Sequence, residues 1–426
     1  MNFVNIIDKK SKGLILEKEE IDFFVKNYLE NNIPDYQASA FLMTIKLKGL
    51  NDEEFINYSK ALINSGKIID TDDSLVDKHS SGGVGDKTTI VLLPILASMG
   101  LKIFKMSGKG LGFTGGTIDK LSSIEGFDTQ LTLEGVKKMV NKIGLSITSQ
   151  TPKLVPADGK IYSLRDITAT VDSNELIAAS IISKKIASGA KNILIDLKVG
   201  TGAFINDIKN AKELARLMKL VTDDFNKNLF VLISSMDQPL GFNVGNKNEI
   251  VEAINFLKGN WSEDFYELVK KISIELYSKS KGKTKLEAEK IFDDVISSGK
   301  ALKKQKEWFK EQGVLDFEKS TKFLPKYKVE VLAKKDGYIS FKDVKKIGNC
   351  LIDLKAGRKE LNDTLDFNSG INFFIKNGDK IFRNDKLFDI YSSNKISQKI
   401  IDKISEEIII TNKKRKGKVI LGELKW

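Results

Sequence analysis

Cysteine and histidine are almost missing from this chain of 426 residues, which has one of each, Cys350 and His79. A single cysteine excludes an intrachain disulfide framework and a cysteine-based zinc site. A single histidine excludes a metal centre built on several imidazoles. Long apolar runs are missing too. The longest, Ile90 to Leu101, carries Pro94 and falls short of the roughly 20 residues that a membrane-spanning helix needs. The opening segment, Met1 to Lys10, lacks the apolar core of a signal peptide and meets charge at once. The expectation is a soluble, cytoplasmic protein with no membrane partner. No tandem repeat or low-complexity linker is evident.

What is present is ordinary in bulk: 41% hydrophobic and 30% charged residues, as in a globular protein. At about 150 residues per domain, the length predicts two or three domains, ample for a sizeable core. Lys and Arg together number 69 against 57 Asp and Glu, a net charge of +12. Such an excess suits nucleic acid, membrane surfaces or small anions. The one dense basic run, Lys413 to Lys418, has no interleaved aromatics and reads as a solvated face, so no nucleic-acid partner is expected.

The chain changes texture twice. Residues 1–69 read as a helical domain, with apolar residues at helical spacing over Lys18 to Leu29 and Asp35 to Lys48. Asn51-Asp52-Glu53-Glu54 is a capped start for the next helix. Residues 70–325 alternate Gly-rich loops with short apolar runs, which predicts an α/β domain with a mainly parallel sheet and helical crossovers. Leu101 to Met106, Ile193 to Leu197 and Leu229 to Ile233 are the buried strands of this reading. Residues 326–426 form a small C-terminal α/β domain of short strands, with a tight turn at Asn377-Gly378-Asp379.

Two loops carry the chemistry. The first, Lys78-His79-Ser80-Ser81-Gly82-Gly83-Val84-Gly85-Asp86-Lys87-Thr88-Thr89, opens an apolar helix over Ile90 to Met99. Glycines let backbone approach an anion, and a helix N-terminus presents unpaired N–H groups. The P-loop pattern fails here at both fixed positions, because Ser81 stands for its first glycine and Asp86 for the glycine before Lys87. The second loop runs from Lys105 through Gly108-Lys109-Gly110-Leu111-Gly112-Phe113-Thr114-Gly115-Gly116 to Thr117. One such loop alone is a weak signal; two at strand-to-helix junctions of one sheet point to a phosphate-containing ligand. Acidic residues are scarce in both, which argues against a carboxylate-held metal. The sole histidine lies in the first loop, not on an apolar core face, and is therefore read as catalytic.

A third segment, Tyr162 to Ser173, leads into a helix from Asn174 to Ser188 closed by Gly189. Ser180 and Lys184 are spaced i, i+4 on that helix and share a face. Spacing alone leaves a solvent-facing stripe and a cleft lining equally open.

Taken together, Lys78 to Asp86, Met106 to Gly112, Thr114 to Thr117, Arg165 to Val171, Asp196 to Phe204 and Asp237 to Gly241 resemble the pyrimidine-nucleoside and thymidine phosphorylases, in the family's order and from end to end. The resemblance implies a helical domain, joined in space by about residues 160–190, an α/β domain, and a C-terminal domain of biotinyl/lipoyl-like type without a modification lysine. It also implies a homodimer. The implied activity is reversible phosphorolysis of uridine, thymidine and deoxyuridine by inorganic phosphate, with no cofactor required for the chemistry. Lys78, Ser80, Thr89, Lys105, Ser107 and Thr117 would bind phosphate. Arg165, Ser180 and Lys184 would bind the pyrimidine carbonyls and N3, with Tyr162 and Phe204 walling the base. Hinge closure would bring the two substrates together. His79, with Arg165 and Lys184, would be catalytic, His79 donating to the O2 carbonyl.

Departures from the family pattern carry their own expectations. Ser81 replaces the usual threonine and keeps the hydroxyl. Phe113 replaces the usual histidine, with little catalytic loss expected. In bacterial relatives a hydroxyl residue at the Lys87 position, with Gly85, Leu240, Asn243 and Glu252, helps hold potassium. Lys87 would bring its own ammonium to that site and pair with Glu252; a surface lysine beside an intact ion site is the alternative. Lys105 matches members with broad specificity, whereas thymidine-restricted members tend to have methionine. A thymidine-restricted phosphorylase and an anthranilate-phosphoribosyltransferase-like enzyme are the alternatives in activity, the latter needing magnesium and a pyrophosphate substrate.

Overall fold

A computed structural model describes residues 1–69, 74–110, 113, 115–151, 153–360, 363–415 and 417–426. By contact the chain divides into two units. The first comprises Met1–Asp77, Gln150–Ile193 and Lys209–Phe230; the second comprises Lys78–Ser149, Leu194–Ile208 and Val231–Trp426.

The first unit is helical. Its helices Phe3–Ser11, Lys18–Leu29, Asp35–Lys48 and Asp52–Asn64 follow the apolar spacing of the sequence. Three further helices, Pro156–Ile167, Asn174–Ala187 and, but for its first residue, Ile208–Asp224, join them from later in the chain. The expected cap at Asn51 is a full capping box: Asn51 accepts from the Glu54 amide at 2.8 Å and the Glu54 carboxylate accepts from the Asn51 amide at 2.8 Å. Glu54 also pairs with Lys10 at 2.7 Å, both side chains buried, so one carboxylate ties the first helix to the fourth. Around them Phe3, Phe24 and Phe41 form an aromatic core, with ring centroids 4.5–5.5 Å apart.

The second unit is built on a six-stranded sheet. Its strands are β1 (Leu75–Ser80), β2 (Lys102–Ser107), β3 (Leu145–Ser149), β4 (Asn192–Val199) and β5 (Asn228–Ser235), with β13 (Ile420–Leu424) on one edge. The order is β13-β5-β4-β1-β2-β3; β2 runs parallel to β3, and β13 antiparallel to β5. The division between units passes through β1, β4 and β5, whose C-terminal residues belong to the second. Strands β2, β4 and β5 cover the three apolar runs expected to be strands. β1 was not legible in that way because it carries Asp77 and Lys78, both buried, and charge in a sequence reads as exposure. The helix Thr88–Ser98 is apolar and buried on all sides despite Pro94.

From β1 the chain moves to β2 and β3 on one side, and from β4 to β5 on the other. The strand order reverses between β1 and β4. In open α/β sheets, ligands bind at the carboxyl ends of the strands at such a point.

The remaining strands are short: β6 (Asn243–Gly245), β7 (Tyr327–Leu332), β8 (Gly337–Phe341), β9 (Gly370–Phe373), β10 (Lys380–Ile381), β11 (Lys386–Ser392) and β12 (Ile408–Thr411). They make a four-stranded sheet, β6-β9-β11-β7, and a three-stranded sheet, β10-β8-β12. The turn expected at Asn377-Gly378-Asp379 is formed, with Gly378 at φ +85°.

Candidate active site

The carboxyl end of β1 carries Lys78, His79 and Ser80 to the reversal point. The loop that follows bends through Gly82 and Gly85, at φ +88° and +79°, which other residues adopt only with strain. It then delivers Thr88 and Thr89 to the first turn of the helix Thr88–Ser98.

Asp86 organises this loop. Its carboxylate accepts from the Thr88 hydroxyl at 2.6 Å, the Thr88 amide at 3.1 Å and the Ser80 hydroxyl. Burial pushes the Asp86 carboxyl up, but the ammonium groups of Lys198 and Lys78 and the bonds from Ser80 and Thr88 outweigh it and hold it well below the usual range. Lys78 is buried and donates to the Thr88 hydroxyl at 2.5 Å, with Asp196 3.8 Å away. Lys105, buried on β2, donates to the Lys78 carbonyl at 2.8 Å. The Ser81 amide bonds to the Asp196 carbonyl at 3.0 Å and its hydroxyl accepts from the Lys198 amide at 2.8 Å, which locks the loop to β4.

The structure therefore gathers Lys78, Ser80, Lys105 and the Thr88–Thr89 turn around the ends of β1 and β2. Ser107 closes β2, and half-buried His79 stands beside Lys78 on β1. Thr117 begins the helix Thr117–Ser122 after the second loop. In that loop, a side chain on Gly116 would lie 2.1 Å from the Gly110 nitrogen, so only glycine fits the close approach. Leu111, Gly112 and Thr114 of the same motif, and Lys416 of the basic run, lie outside the described residues.

A second group of expected site residues forms in the first unit. Lys184 donates to the Ser180 hydroxyl at 2.8 Å and pairs with Asp158. Ser180 is buried, which decides against the solvent-facing stripe. Lys184 and Arg165 each lie 6.0 Å from the centroid of the half-exposed Tyr162 ring. The Arg165 guanidinium is buried and donates to the carbonyls of Thr170, Val171 and Leu176 at 2.7–3.1 Å. It braces the segment between two helices with three of its five N–H groups. Burial lowers its pKa, against the pull of nearby Tyr58 and Asp158.

Phe204 lies in the second unit, exposed on one face and packed against Phe113 with ring centroids 4.8 Å apart. Sequence reasoning missed Asp86, Asp158 and Asp196 as organisers. Asp86 and Asp196 lie within the family motifs, yet the motifs alone do not reveal that Ser80, Thr88, Lys78 and Lys198 act on the Asp86 carboxylate.

Three family models match consecutive parts of the chain. They are the helical bundle domain of a glycosyl transferase family over residues 4–66, the a/b domain of a glycosyl transferase family over 72–302, and a pyrimidine nucleoside phosphorylase C-terminal domain over 338–411. The chain is 42% identical over 420 residues to a pyrimidine-nucleoside phosphorylase of Staphylococcus epidermidis, covering 97% of each chain. It is 41% identical over 430 residues to one of Bacillus subtilis, covering 99% of each. The chain belongs to the pyrimidine-nucleoside phosphorylase family. The anthranilate phosphoribosyltransferase of Thermus thermophilus matches with a TM-score of 0.58 at 15% identity, over 72% of this chain and 98% of that one, a likeness of fold alone.

Two positions expected to depart from the pattern of the pyrimidine-nucleoside phosphorylases, Phe113 and Lys87, are both placed by the structure. Phe113 is buried, and its ring receives Phe204 on one contact and the Lys345 ammonium, 5.2 Å from its centroid, on another. Lys87 is also buried, not the surface lysine that was one of its two expected readings. Among the described residues, no cluster of three or more His, Cys, Asp and Glu could hold a metal, and no helix is long and apolar enough to cross a membrane.

Proposed function

We propose that this chain catalyses the reversible phosphorolysis of pyrimidine nucleosides, taking uridine, thymidine and deoxyuridine to free base and (deoxy)ribose 1-phosphate. The observation that carries the reading is the cradle at the reversal of strand order. There, buried Lys78 reaches the Thr88 hydroxyl at a helix N-terminus and buried Lys105 holds the Lys78 carbonyl, a setting suited to a phosphate dianion. The named relatives supply the substrate class.

In this reading Lys78, Ser80, Thr89, Lys105, Ser107 and Thr117 hold phosphate. Arg165, Ser180 and Lys184 face the pyrimidine carbonyls and N3, with Tyr162 and Phe204 against the ring. A phosphate oxygen forms the bond to C1′ as the C1′–N1 bond breaks, and the electron pair of that bond leaves with the base. The sugar carries positive charge in the transition state and the bound phosphate offsets it. The base carries the negative charge, so His79 donating to its O2 carbonyl stabilises what develops. The chemistry needs no redox or organic cofactor. Lys105 supports acceptance of ribose as well as deoxyribose, since an ammonium beside the phosphate is in reach of a 2′-hydroxyl. The same reading makes the protein a cytoplasmic homodimer, with a C-terminal domain of biotinyl/lipoyl-like type and no attached group.

The test is release of uracil or thymine from uridine or thymidine, with and without phosphate, in the wild type and in His79→Ala. Release that requires phosphate and falls about a hundredfold or more in the variant is the expected result. Release that survives the substitution removes His79 from the chemistry. No release from either nucleoside sinks the activity itself.

A further inference from the structure

The resemblance to bacterial relatives implies a potassium ion held by Gly85, Leu240, Asn243 and Glu252. The residues present do not fit one. The Lys87 ammonium donates to the Leu240 carbonyl at 2.6 Å and pairs with Glu252 Oε2 at 2.8 Å. An ion held by those same oxygens would occupy the volume that Nζ fills, and two like charges cannot share it. Both Glu252 oxygens are already engaged. Its Oε1 accepts from the Phe242 amide at 2.6 Å, and its Oε2 accepts from the Asn243 amide at 2.8 Å as well as from Lys87. The ammonium also sits 5.2 Å from the centroid of the Phe265 ring, a cation–π contact.

The surroundings are built for positive charge. The carbonyls of Pro239, Leu240 and Gly241 each accept from an ammonium group, Leu240 from Lys87 and the other two from Lys376. Gly85 packs so closely on this turn that a side chain there would lie 2.8 Å from the Leu240 oxygen. The Leu240 amide in turn donates to the Val84 carbonyl at 3.2 Å. Lys87 immediately precedes Thr88 and Thr89, and its neighbour Asp86 holds Ser80. A charge at Nζ therefore ties the phosphate-facing loop to the turn at 239–241.

We infer that Lys87 is a built-in cation, standing in place of a bound potassium ion and positioning Ser80, Thr88 and Thr89, so that neither turnover nor stability requires potassium. The part that concerns turnover rests on the phosphorylase reading; the part that concerns stability does not.

The test compares the wild type, Lys87→Ser and Lys87→Met in potassium, sodium and tetramethylammonium chloride at matched ionic strength. Melting temperature and kcat/KM for phosphate are both read. The wild type is expected to give the same values in all three salts. Lys87→Ser leaves the Leu240 and Glu252 oxygens facing a cavity, with a hydroxyl added. It should lose about a hundredfold in kcat/KM in tetramethylammonium, the scale of a displacement of about 1 Å in a binding loop. Potassium should restore much of that loss and raise the melting temperature. Lys87→Met fills the volume without charge, so it should suffer the loss and gain nothing from potassium.

A specific potassium requirement in the wild type, in either readout, overturns the inference and leaves the phosphorylase reading intact. So does Lys87→Ser that matches the wild type in tetramethylammonium. Rescue of Lys87→Met to the same extent as Lys87→Ser overturns it too. Should the variants fail to fold, the wild-type salt series decides alone. Should the wild type release no base in any salt, the activity reading fails, and the melting temperatures still judge the role of Lys87.

Discussion

Asp86 shows how one side chain sets a loop. Its carboxyl is held well below the usual aspartate range, so it stabilises the fold fully above the ordinary value of about 3.9. That contribution is lost only as pH falls through the depressed folded value. The expected outcome for Asp86→Ala is a stability deficit against the wild type that stays constant from neutral pH down to about 4 and shrinks below it. Urea unfolding at a series of pH values measures this, and a deficit that vanishes by pH 6 would contradict the assignment. Lys105 makes a sharper residue-level prediction about sugar choice. Lys105→Met should reduce kcat/KM for uridine more than for thymidine, while equal losses would mean that the ammonium serves phosphate alone. Arg165 carries a third: lysine cannot reach the carbonyls of Thr170, Val171 and Leu176 together, so Arg165→Lys should destabilise by about 3 kcal/mol in denaturant unfolding.

At the scale of elements, local signals and distant partners divide the work. The helix Asp52–Asn64 starts where Asn51 and Glu54 said it would, because a capping box needs only residues three apart. That Glu54 also receives Lys10 inside the core depends on a residue 44 positions away, and no spacing rule reports it. The helix Asn174–Ala187 likewise begins at a Ser173 cap and ends ahead of Gly189 at φ +84°. Whether its Ser180 and Lys184 faced water was open until Asp158 and Tyr162 were seen beside them. The first Gly-rich loop adds an element-level prediction. Gly85→Ala combines a positive φ with an approach to the Leu240 oxygen of 2.8 Å, and should cost about 2 kcal/mol and raise KM for phosphate. Unchanged stability would mean that the loop can move away from the 239–241 turn at little cost.

For the molecule as a whole, the mainly parallel sheet and the helical first unit were legible as classes, since apolar periodicity and Gly-rich junctions are local properties of the chain. The strand order was not. Placing β4 beside β1 is a choice among long-range pairings, and it is that choice which sets Asp196 and Lys198 against the Ser80–Asp86 loop. The return of β13 to the edge of the main sheet, and the pairing of β6 with β9, are equally invisible along the sequence.

The family, the two Gly-rich loops and the bounds of such helices as Lys18–Leu29 and Asp35–Lys48 are legible along the chain, because motifs, caps and apolar spacing act between residues a few positions apart. Tertiary structure alone decided what the buried charges do. Asp86 became the loop's organiser, Arg165 became a brace for its own backbone, and the Lys87 ammonium met a carbonyl 153 residues away. A charged group is placed by the partners that compensate its loss of water, and those partners come from anywhere in the chain.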